Sequence, residues 1–523
     1  MHKNIFILCI LFILAFPSNA IPVSYNILDY GAKGDGSKLN TKAIQSAIEA
    51  CSASGGGTVY FPAGKYLTGT LFLKSHITLH LESGAVLVGS KDSNDYPITV
   101  SKIRSFTDNY TNKSLIYADG LENIAIVGQG TIDGNGASFN FDELRKTDIY
   151  ASLIARPYLI RIINCKKVQV KDVTMLNSPM WVQHYLACED VNIDGVTVHS
   201  RVNFCNDGID IDGCNRVRIS NCNISSLDDA IVLKSTLDRP CKNVTITNCI
   251  MSSKCNAFKL GTETNGGFEN ITLSNCTVYD TELAGISLQI VDGGTLSNVS
   301  VSNITMNNVG GAISIRLGNR ARTFKENMAT LGIGTLSNVI ISNIQATNVG
   351  KIGCSITGLP GHPVKNITLE NIRLLFEGGG TAEHAHSEVP EIPENYPQFD
   401  MFGILPAYGF FCRHAENLTF NNVEMDFISP DARPAIIFDD ITGLGIYRIK
   451  ARVTGNEPLI ASKDVKNMFV QSCIAPKGIE TFLHISGTKS EHITLLGNDL
   501  SGAVKAIRNE SNVEVYLDSN RMK

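Results

Sequence analysis

Two short runs of the sequence each place aspartates next to a strand-like alternation of apolar and polar residues. Asp207 and Asp210 lie in the first run, and Asp228 and Asp229 begin the second. Aligning the small residue before each apolar pair puts Asp207 over Asp229, and adjacent strands are only about 4.8 Å apart. Carboxylates this close repel one another and raise at least one pKa, a cost that a purely structural turn would avoid. One protonated carboxyl group beside ionised ones suits cleavage of a glycosidic bond by water.

A repeated unit positions these runs. Cys222, Cys249 and Cys276 each follow an asparagine and recur at 27-residue intervals, at the ends of alternating apolar and polar segments. Further copies of the segment occupy residues 299–304, 339–344, 367–372 and 418–423. Each strand therefore has one buried face, and units this small must stack to bury a continuous core. The sequence predicts an all-β fold, a parallel β-helix (β-solenoid).

A second series of strands carries the outward-facing candidates. Its members start at Gly208, Ala230, Ala257, Gly285 and Ala312, with offsets of 22, 27, 28 and 27 residues. In this register Asn256 continues the column that Asp207 and Asp229 begin. The outward positions of the same sheet are then Asp210, Lys259, Ser287 and Gln289.

Composition excludes several classes of function. The chain has 45 basic and 50 acidic residues and a pI near 6.1, so no nucleic-acid partner is expected. No Cys/His spacing of the zinc type occurs, and we predict neither a metal nor a cofactor. The repeated cysteines are interpreted as small buried apolar residues and not as disulfide partners.

The beginning of the chain has the pattern of a secretory signal peptide. Lys3 precedes an apolar run, and a small-residue cleavage site ends at Ala20. We therefore expect a secreted or periplasmic protein in which residues 1–20 are removed and residues 21–523 form one β-helix catalytic domain. Apolar residues at helical spacing predict a helix over 41–53 that caps the solenoid. No later run of about 18 apolar residues occurs, so we expect no membrane span, and we expect a monomer.

Several motifs outside the aspartate runs resemble one known family. They are the run 29–36, the turn 61–64, the segment 128–134, Arg156-Pro157, and Asn177-Ser178-Pro179 followed by Trp181. Together with the aspartate runs, they make the chain similar to glycoside hydrolase family 28, the polygalacturonase family, over nearly all of its length after residue 20. The resemblance implies a right-handed β-helix and an inverting glycosidase. It also implies that Asp228 is the general acid, that Asp207 and Asp229 hold and deprotonate the water, and that Asp210 supports the site.

Two departures from the family pattern bear on the substrate. The family's Gly-His-Gly aligns with Cys255-Asn256-Ala257, and its Arg-Ile-Lys, which binds the galacturonate carboxylate, aligns with Ser287-Leu288-Gln289. An uncharged pair cannot neutralise a uronate. We therefore predict that the substrate is a rhamnogalacturonan-type or other branched pectic glycan. The predicted substrate-binding residues are Asp210, Asn256, Lys259, Glu263, Gln289 and Arg316, with Arg320 and Arg322 beyond them.

Two interruptions of the repeat, roughly 318–336 and 378–408, are long enough to be functional and are predicted to wall the cleft. Trp181 and His184 lie one coil before Asp207. They could stack on a sugar, although packing inside the protein is the more frequent outcome for such aromatic residues.

Three alternative functions stay open. A β-helix protein that binds carbohydrate without turnover would fit the missing histidine and cations. An ordinary polygalacturonase would cleave homogalacturonan. A calcium-dependent pectate lyase would use the aspartates to hold calcium and a cation as its base. Retention of the three stacked aspartates favours a hydrolase, because a binding protein gains little from their repulsion.

Overall fold

The computed structural model describes residues 24–140, 142–323 and 328–523, so the predicted signal peptide lies outside the described residues. The helices are α1 (Thr41–Ala53), α2 (Asp142–Thr147), α3 (Ile149–Leu153) and α4 (Ala382–Ala385), with 3-10 turns at Ile27–Tyr30, Ser93–Asp95, Phe106–Asn109 and Gly136–Phe139. The strands, in chain order, are β1 (Ser24–Asn26), β2 (Asp35–Leu39), β3 (Gly57–Phe61), β4 (Gly64–Thr68), β5 (Leu71–Phe72), β6 (Ile77–Leu81), β7 (Ala85–Gly89), β8 (Ser114–Asp119), β9 (Glu122–Gly128), β10 (Thr131–Asp133), β11 (Tyr158–Ile163), β12 (Lys166–Lys171), β13 (Thr174–Leu176), β14 (Gln183–Leu186), β15 (Glu189–Asp194), β16 (Thr197–Ser200), β17 (Ile209–Asp212), β18 (Asn215–Ser220), β19 (Asn223–Ser226), β20 (Ile231–Ser235), β21 (Cys241–Thr247), β22 (Ile250–Ser253), β23 (Phe258–Thr264), β24 (Phe268–Ile290), β25 (Thr295–Leu317), β26 (Thr335–Val349), β27 (Cys354–Thr357), β28 (Val364–Gly378), β29 (Phe410–Ser429), β30 (Ile436–Tyr447), β31 (Lys450–Ala451), β32 (Ile460–Gln471), β33 (Thr481–Ser486), β34 (Glu491–Leu496), β35 (Lys505–Asn509) and β36 (Val515–Asp518).

These strands form a right-handed parallel β-helix, as predicted. Each strand pairs in parallel with the equivalent strand one coil away, for example β12 with β15, β15 with β18 and β18 with β21. Inward side chains of the alternating pattern stack into one apolar column that contains Ile219, Ile246 and Leu273. The column is long because parallel register places each apolar residue on the equivalent residue of the next coil.

Asparagines occupy the bends of the coils, because they tolerate the left-handed backbone that a bend requires. Asn248, Asn275 and Asn303 have φ of 55°, 55° and 57°. The side chain of Asn303 donates to that of Asn275 at 3.0 Å, and the same contact recurs along the helix. Every cysteine from Cys51 to Cys473 is a free thiol, and all but Cys205 and Cys255 are buried.

The sheet that carries the predicted site is named the site sheet. It consists of β8, β11, β14, β17, β20, β23, residues 286–290 and 313–317 at the ends of β24 and β25, and β27. The predicted register is confirmed: Ile209 pairs with Ile231, Ile231 with Phe258, and Phe258 with Ile286.

Helix α1 begins and ends where the apolar periodicity predicts. Ile44, Ala47, Ile48 and Cys51 are its buried residues, and the helix contacts β1, β3 and β5 in the first coils. It therefore covers the apolar column at its amino-terminal end. Among the described residues, no helix is both long enough and apolar enough to cross a bilayer.

Candidate active site

Asp207, Asp228 and Asp229 lie at the edge of the site sheet where β17 and β20 begin. The Gly208 amide donates to the Asp229 carbonyl at 2.9 Å, and the Ala230 amide donates to the Asn256 carbonyl at 2.9 Å. These bonds stack the turn of Asp207 on that of Asp229, and the turn of Asp229 on that of Asn256. Glycine is needed at 208, because a Cβ there would come within 2.5 Å of the Ala230 carbonyl oxygen.

Asp229 is held as an anion. Its Oδ2 lies 2.8 Å from Lys259 Nζ, and its Oδ1 accepts from the Asn256 side-chain amide at 2.8 Å and the Asn256 backbone amide at 3.2 Å. Burial alone would raise the pKa of this carboxyl group. Lys259, Lys234 and Asn256 outweigh burial, so the pKa lies below its ordinary value.

Asp228, the neighbour of Asp229, has the opposite environment. Its side chain is partly exposed, and its Oδ1 accepts the Asp229 amide at 2.9 Å. Burial of the carboxyl group and the adjacent Asp229 charge raise its pKa above the ordinary value. Two adjacent carboxyl groups with pKa values pushed apart can serve as acid and base in one reaction.

Asp207 and Asp210 lie close to a buried lysine, Lys234, which was not among the site residues predicted from the sequence. Lys234 Nζ lies 3.9 Å from Asp207, 3.7 Å from Asp210 and 3.4 Å from Glu263, and it lies over the Trp181 ring at 4.5 Å. Burial, above all, raises the pKa of both aspartates well beyond the ordinary value. Lys234 belongs to β20, opposite Asp212, so strand alternation already placed it on the outer face of the site sheet.

The other predicted cations contact protein groups. Arg320 pairs with Asp292, and Arg322 pairs with Glu263. Although burial opposes ionisation of Glu263, Lys234 and Arg322 hold its pKa well below the ordinary range.

Arg316 and Gln289 lie further along the site sheet. The Arg316 guanidinium donates to the Glu391 carbonyl at 2.6 Å, and burial lowers its pKa to about 10. The Gln289 side chain donates to the Pro397 carbonyl at 2.7 Å. The structure thus brings together Asp207, Asp210, Asp228, Asp229, Asn256, Lys259 and Glu263, and it places Gln289 and Arg316 under the second insertion. Substrate binding by these residues stays a prediction.

The aromatic residues upstream of the aspartates are packed. Trp181 is 5% exposed and His184 is fully buried, with the two rings in edge-to-face contact at 5.2 Å. Burial lowers the pKa of His184. The side chains of Trp181 and His184 are therefore packed beneath Lys234 and do not form an exposed surface on which a sugar could stack.

One group of potential metal ligands coincides with the site. Oxygens of Asp228 and Asp229 and the sulfur of Cys255 lie within 4.8 Å of one another. The register that stacks Asn256 on Asp229 also places Cys255 next to Asp228, so the repeat in the sequence already implied this trio. The Lys259 ammonium already lies 2.8 Å from Asp229, which disfavours a second cation there.

The chain is thus a parallel β-helix protein with carboxyl groups clustered at one edge of the site sheet. The chain belongs to glycosyl hydrolases family 28, whose sequence model matches residues 51–393.

Relatives agree with this assignment. A probable polygalacturonase of Vitis vinifera is 38% identical over 231 residues, which are 41% of this chain and 45% of the relative. An exo-poly-alpha-D-galacturonosidase of Dickeya chrysanthemi is 31% identical over 258 residues, 41% of this chain and 42% of the relative. The chain thus spans less than half the length of each of these relatives.

Solved structures show the same fold. A hyperthermoactive exopolygalacturonase from Thermotoga maritima superposes with a TM-score of 0.61 at 22% identity, covering 77% of this chain and 92% of that one. A family 28 exopolygalacturonase of Yersinia enterocolitica superposes with a TM-score of 0.63 at 20% identity, covering 83% and 79%.

Proposed function

We propose that this glycosidase hydrolyses a pectic glycan with inversion at the anomeric carbon, with Asp228 as general acid and Asp229, assisted by Asp207, as the base that activates water. The observation that supports the proposal is that the adjacent residues Asp228 and Asp229 have different environments. Asp228 is partly exposed with a raised pKa, whereas Asp229 is buried against Lys259 with a lowered pKa.

The chemical step requires one water molecule and returns both carboxyl groups after proton exchange. Asp228 donates its proton to the glycosidic oxygen as the bond from that oxygen to the anomeric carbon breaks. Water forms the new bond to the anomeric carbon, and its proton passes to Asp229. Asp229 is better suited to hold water than to attack carbon, because both of its oxygens already accept hydrogen bonds from Asn256 and Lys259.

Stereochemistry is a direct test of this division. Proton NMR of the first product should show the anomer opposite to that of the cleaved linkage. Net retention would contradict the proposed role of Asp229 and would require a covalent glycosyl intermediate.

The charges that surround the site support the proposed class of substrate. Ser287 and Gln289 are uncharged, Lys259 is committed to Asp229, and Arg322 is committed to Glu263. A run of galacturonate alone would need a cation for its carboxylate. This favours a rhamnogalacturonan-type or other branched pectic substrate over homogalacturonan.

A substrate panel tests the function and the acid together. Homogalacturonan, rhamnogalacturonan and purified side-chain oligosaccharides are incubated with wild type and Asp228→Asn, both with added calcium and in excess chelator, and reducing and unsaturated ends are measured. We expect product from a branched substrate, no unsaturated ends, and a loss of about 10²–10⁴-fold in the variant. Asp518→Asn, an exposed position in β36, serves as the matched control.

Each outcome of the panel has a distinct meaning. No product from wild type on any substrate would reject the hydrolase and leave the carbohydrate-binding alternative. Preferred cleavage of homogalacturonan would identify an ordinary polygalacturonase. Unsaturated ends that require calcium would identify a lyase. Undiminished activity of Asp228→Asn would reject Asp228 as the acid.

We also propose that the chain is exported, on the strength of the apolar run before Ala20 and the extracellular location of pectic polymers. Mass spectrometry of the protein recovered outside the cytoplasm should find Ile21 as its first residue. Recovery of the whole chain in the cytoplasm would contradict export.

A further inference from the structure

We propose that the active site is a recess closed along both directions of the solenoid axis, so that the enzyme removes terminal units of a glycan and does not cut within a polymer. The inference rests on the hydrolase function proposed above and adds the mode of attack. Internal cleavage requires the chain to extend on both sides of the broken bond. On the site sheet, this would need open surface on both sides of Asp228.

The carboxyl-terminal side is covered by a segment of the second insertion that we name the strap, residues 389–402. Its tip lies on the coil that follows the two adjacent aspartates. The Tyr396 hydroxyl accepts from Lys259 at 3.3 Å, the Pro397 carbonyl accepts from Gln289 at 2.7 Å, and the Gln398 side chain lies 3.7 Å from Cys255 Sγ. A glycan that passed Asp228 in this direction would meet the tip at once.

Both arms of the strap contact neighbouring coils of the solenoid. In the first arm, Arg413 donates to the Val389 carbonyl at 2.7 Å, and Glu391 is 3.2 Å from Arg413 and 3.0 Å from His414. In the return arm, the Phe399 ring packs against Gly311 and is 4% exposed. These contacts tie both arms of the strap to the solenoid and place it beside the site as a wall.

The amino-terminal side is covered by the segment 105–113 and the buried aromatic residues. Asp108 of this segment forms an ion pair with Arg161 on β11, and Ser105 donates to Asp212 on β17 at 3.2 Å. Tyr158 is fully buried and contacts Trp181 edge to face. A glycan therefore has no exposed sheet on this side either.

Burial along the site sheet shows the combined effect. Every residue of β11, β14, β17, β20, β23, 286–290, 313–317 and β27 is buried, on the outer as well as the inner face. Beside the buried carboxylates, Asp228, Cys205 and Cys255 are partly exposed, and Tyr396 is 49% exposed. Substrate must therefore enter where these partly exposed residues lie, next to Asp228, the proposed general acid.

Product size at low conversion tests the proposal. Polymeric homogalacturonan and rhamnogalacturonan, and size-defined oligomers carrying 2-aminobenzamide at the reducing end, are digested with the full chain and separated by size. We expect monosaccharide or disaccharide from the start, while the molar mass of the polymer stays nearly constant. The label shows which end is attacked.

The possible failures are distinguishable. Early appearance of mixed oligomers with a steep fall in polymer molar mass would overturn terminal attack while leaving the hydrolase function intact. No product from any substrate would overturn both proposals.

Variants of the strap tip locate the wall. Tyr396→Ala removes the exposed ring, and we expect trisaccharide and larger products to appear, whereas Tyr396→Phe should keep the wild-type pattern. Tyr279→Ala removes a ring of similar exposure, 38%, on another face of the helix and should change nothing. A wild-type product pattern from Tyr396→Ala would remove the strap tip from the explanation, and an altered pattern from Tyr279→Ala would attribute the change to general destabilisation.

Discussion

In the proposed mechanism, Lys259 influences both the acid Asp228 and the base Asp229. Its ammonium contacts Asp229 at 2.8 Å and also lowers the pKa of Asp228, so its removal raises both pKa values. In Lys259→Met, we expect the acidic limb of the kcat/KM profile to move to higher pH, because Asp229 must be ionised. The alkaline limb should also move up, because Asp228 must be protonated.

The matched variant for this measurement is Lys259→Arg, which keeps a cation and should shift both limbs less than Lys259→Met does. A pH profile of Lys259→Met that superposes on that of wild type would contradict the role of Lys259. Thermal unfolding of both variants separates a changed profile from a changed fold.

At the residue scale, the column of Asp207, Asp229 and Asn256 could be predicted because the repeat fixes the register. Tyr396 could not, since it comes from an insertion that has no period to align. Lys234 had a visible signal, as the outward position of β20 opposite Asp212, but its role depends on three carboxylates that two coils supply. The register predicts which residues are neighbours along a sheet. It does not predict which carboxylates a long charged side chain will contact.

Strands β17, β20 and β23 are joined electrostatically by Lys234. In Lys234→Met, the carboxylates of Asp207, Asp210 and Glu263 lose a shared cation while they stay buried, so we expect a loss of about 3–5 kcal/mol in the free energy of unfolding. Urea unfolding measures this loss. Lys463→Met is the control, because the Lys463 side chain is 61% exposed in its pair with Asp439 at 3.8 Å, and the change should cost less than about 1 kcal/mol.

The pH dependence of the Lys234→Met deficit provides a second check. Burial already holds the pKa values of Asp207 and Asp210 above the ordinary value, and loss of the cation raises both further in the folded state. The folded protein then binds more protons than the unfolded protein, and its stability falls as pH rises through the raised pKa. The deficit should therefore be larger at pH 8 than at pH 5. An equal deficit at both pH values would mean that lost packing, and not uncompensated charge, destabilises the variant.

Among the elements, those with a strict period were predictable and the insertions were not. Helix α1 has the predicted bounds because Ile44, Ala47, Ile48 and Cys51 lie on one face. The path of the strap has no such pattern. It is set by contacts with Arg316 and Arg413, which lie in different coils, and the sequence does not pair such residues in advance.

At the scale of the whole molecule, each end of the solenoid must be covered, because the last coil of a stack would otherwise expose its apolar interior residues to water. The strands form a continuous ladder from β1 to β36. That residues 21–523 act as one catalytic domain stays a prediction.

Helix α1 covers the apolar column at the amino-terminal end, and a charge introduced on its buried face tests this role. Ile48 is fully buried between α1 and the first coils, so Ile48→Lys should lower the free energy of unfolding by about 2–5 kcal/mol, as the loss of a buried side chain of this size does. It should also expose the end of the apolar column and the edges of β1 and β3, which favours association between chains. Thermal unfolding and light scattering measure the two effects.

Ser46→Lys adds the same charge on the exposed face of α1 and should leave both unchanged, within about 0.5 kcal/mol for stability. If Ile48→Lys is destabilised yet stays monomeric at high concentration, the helix contributes packing and the end of the column is protected by another part of the chain.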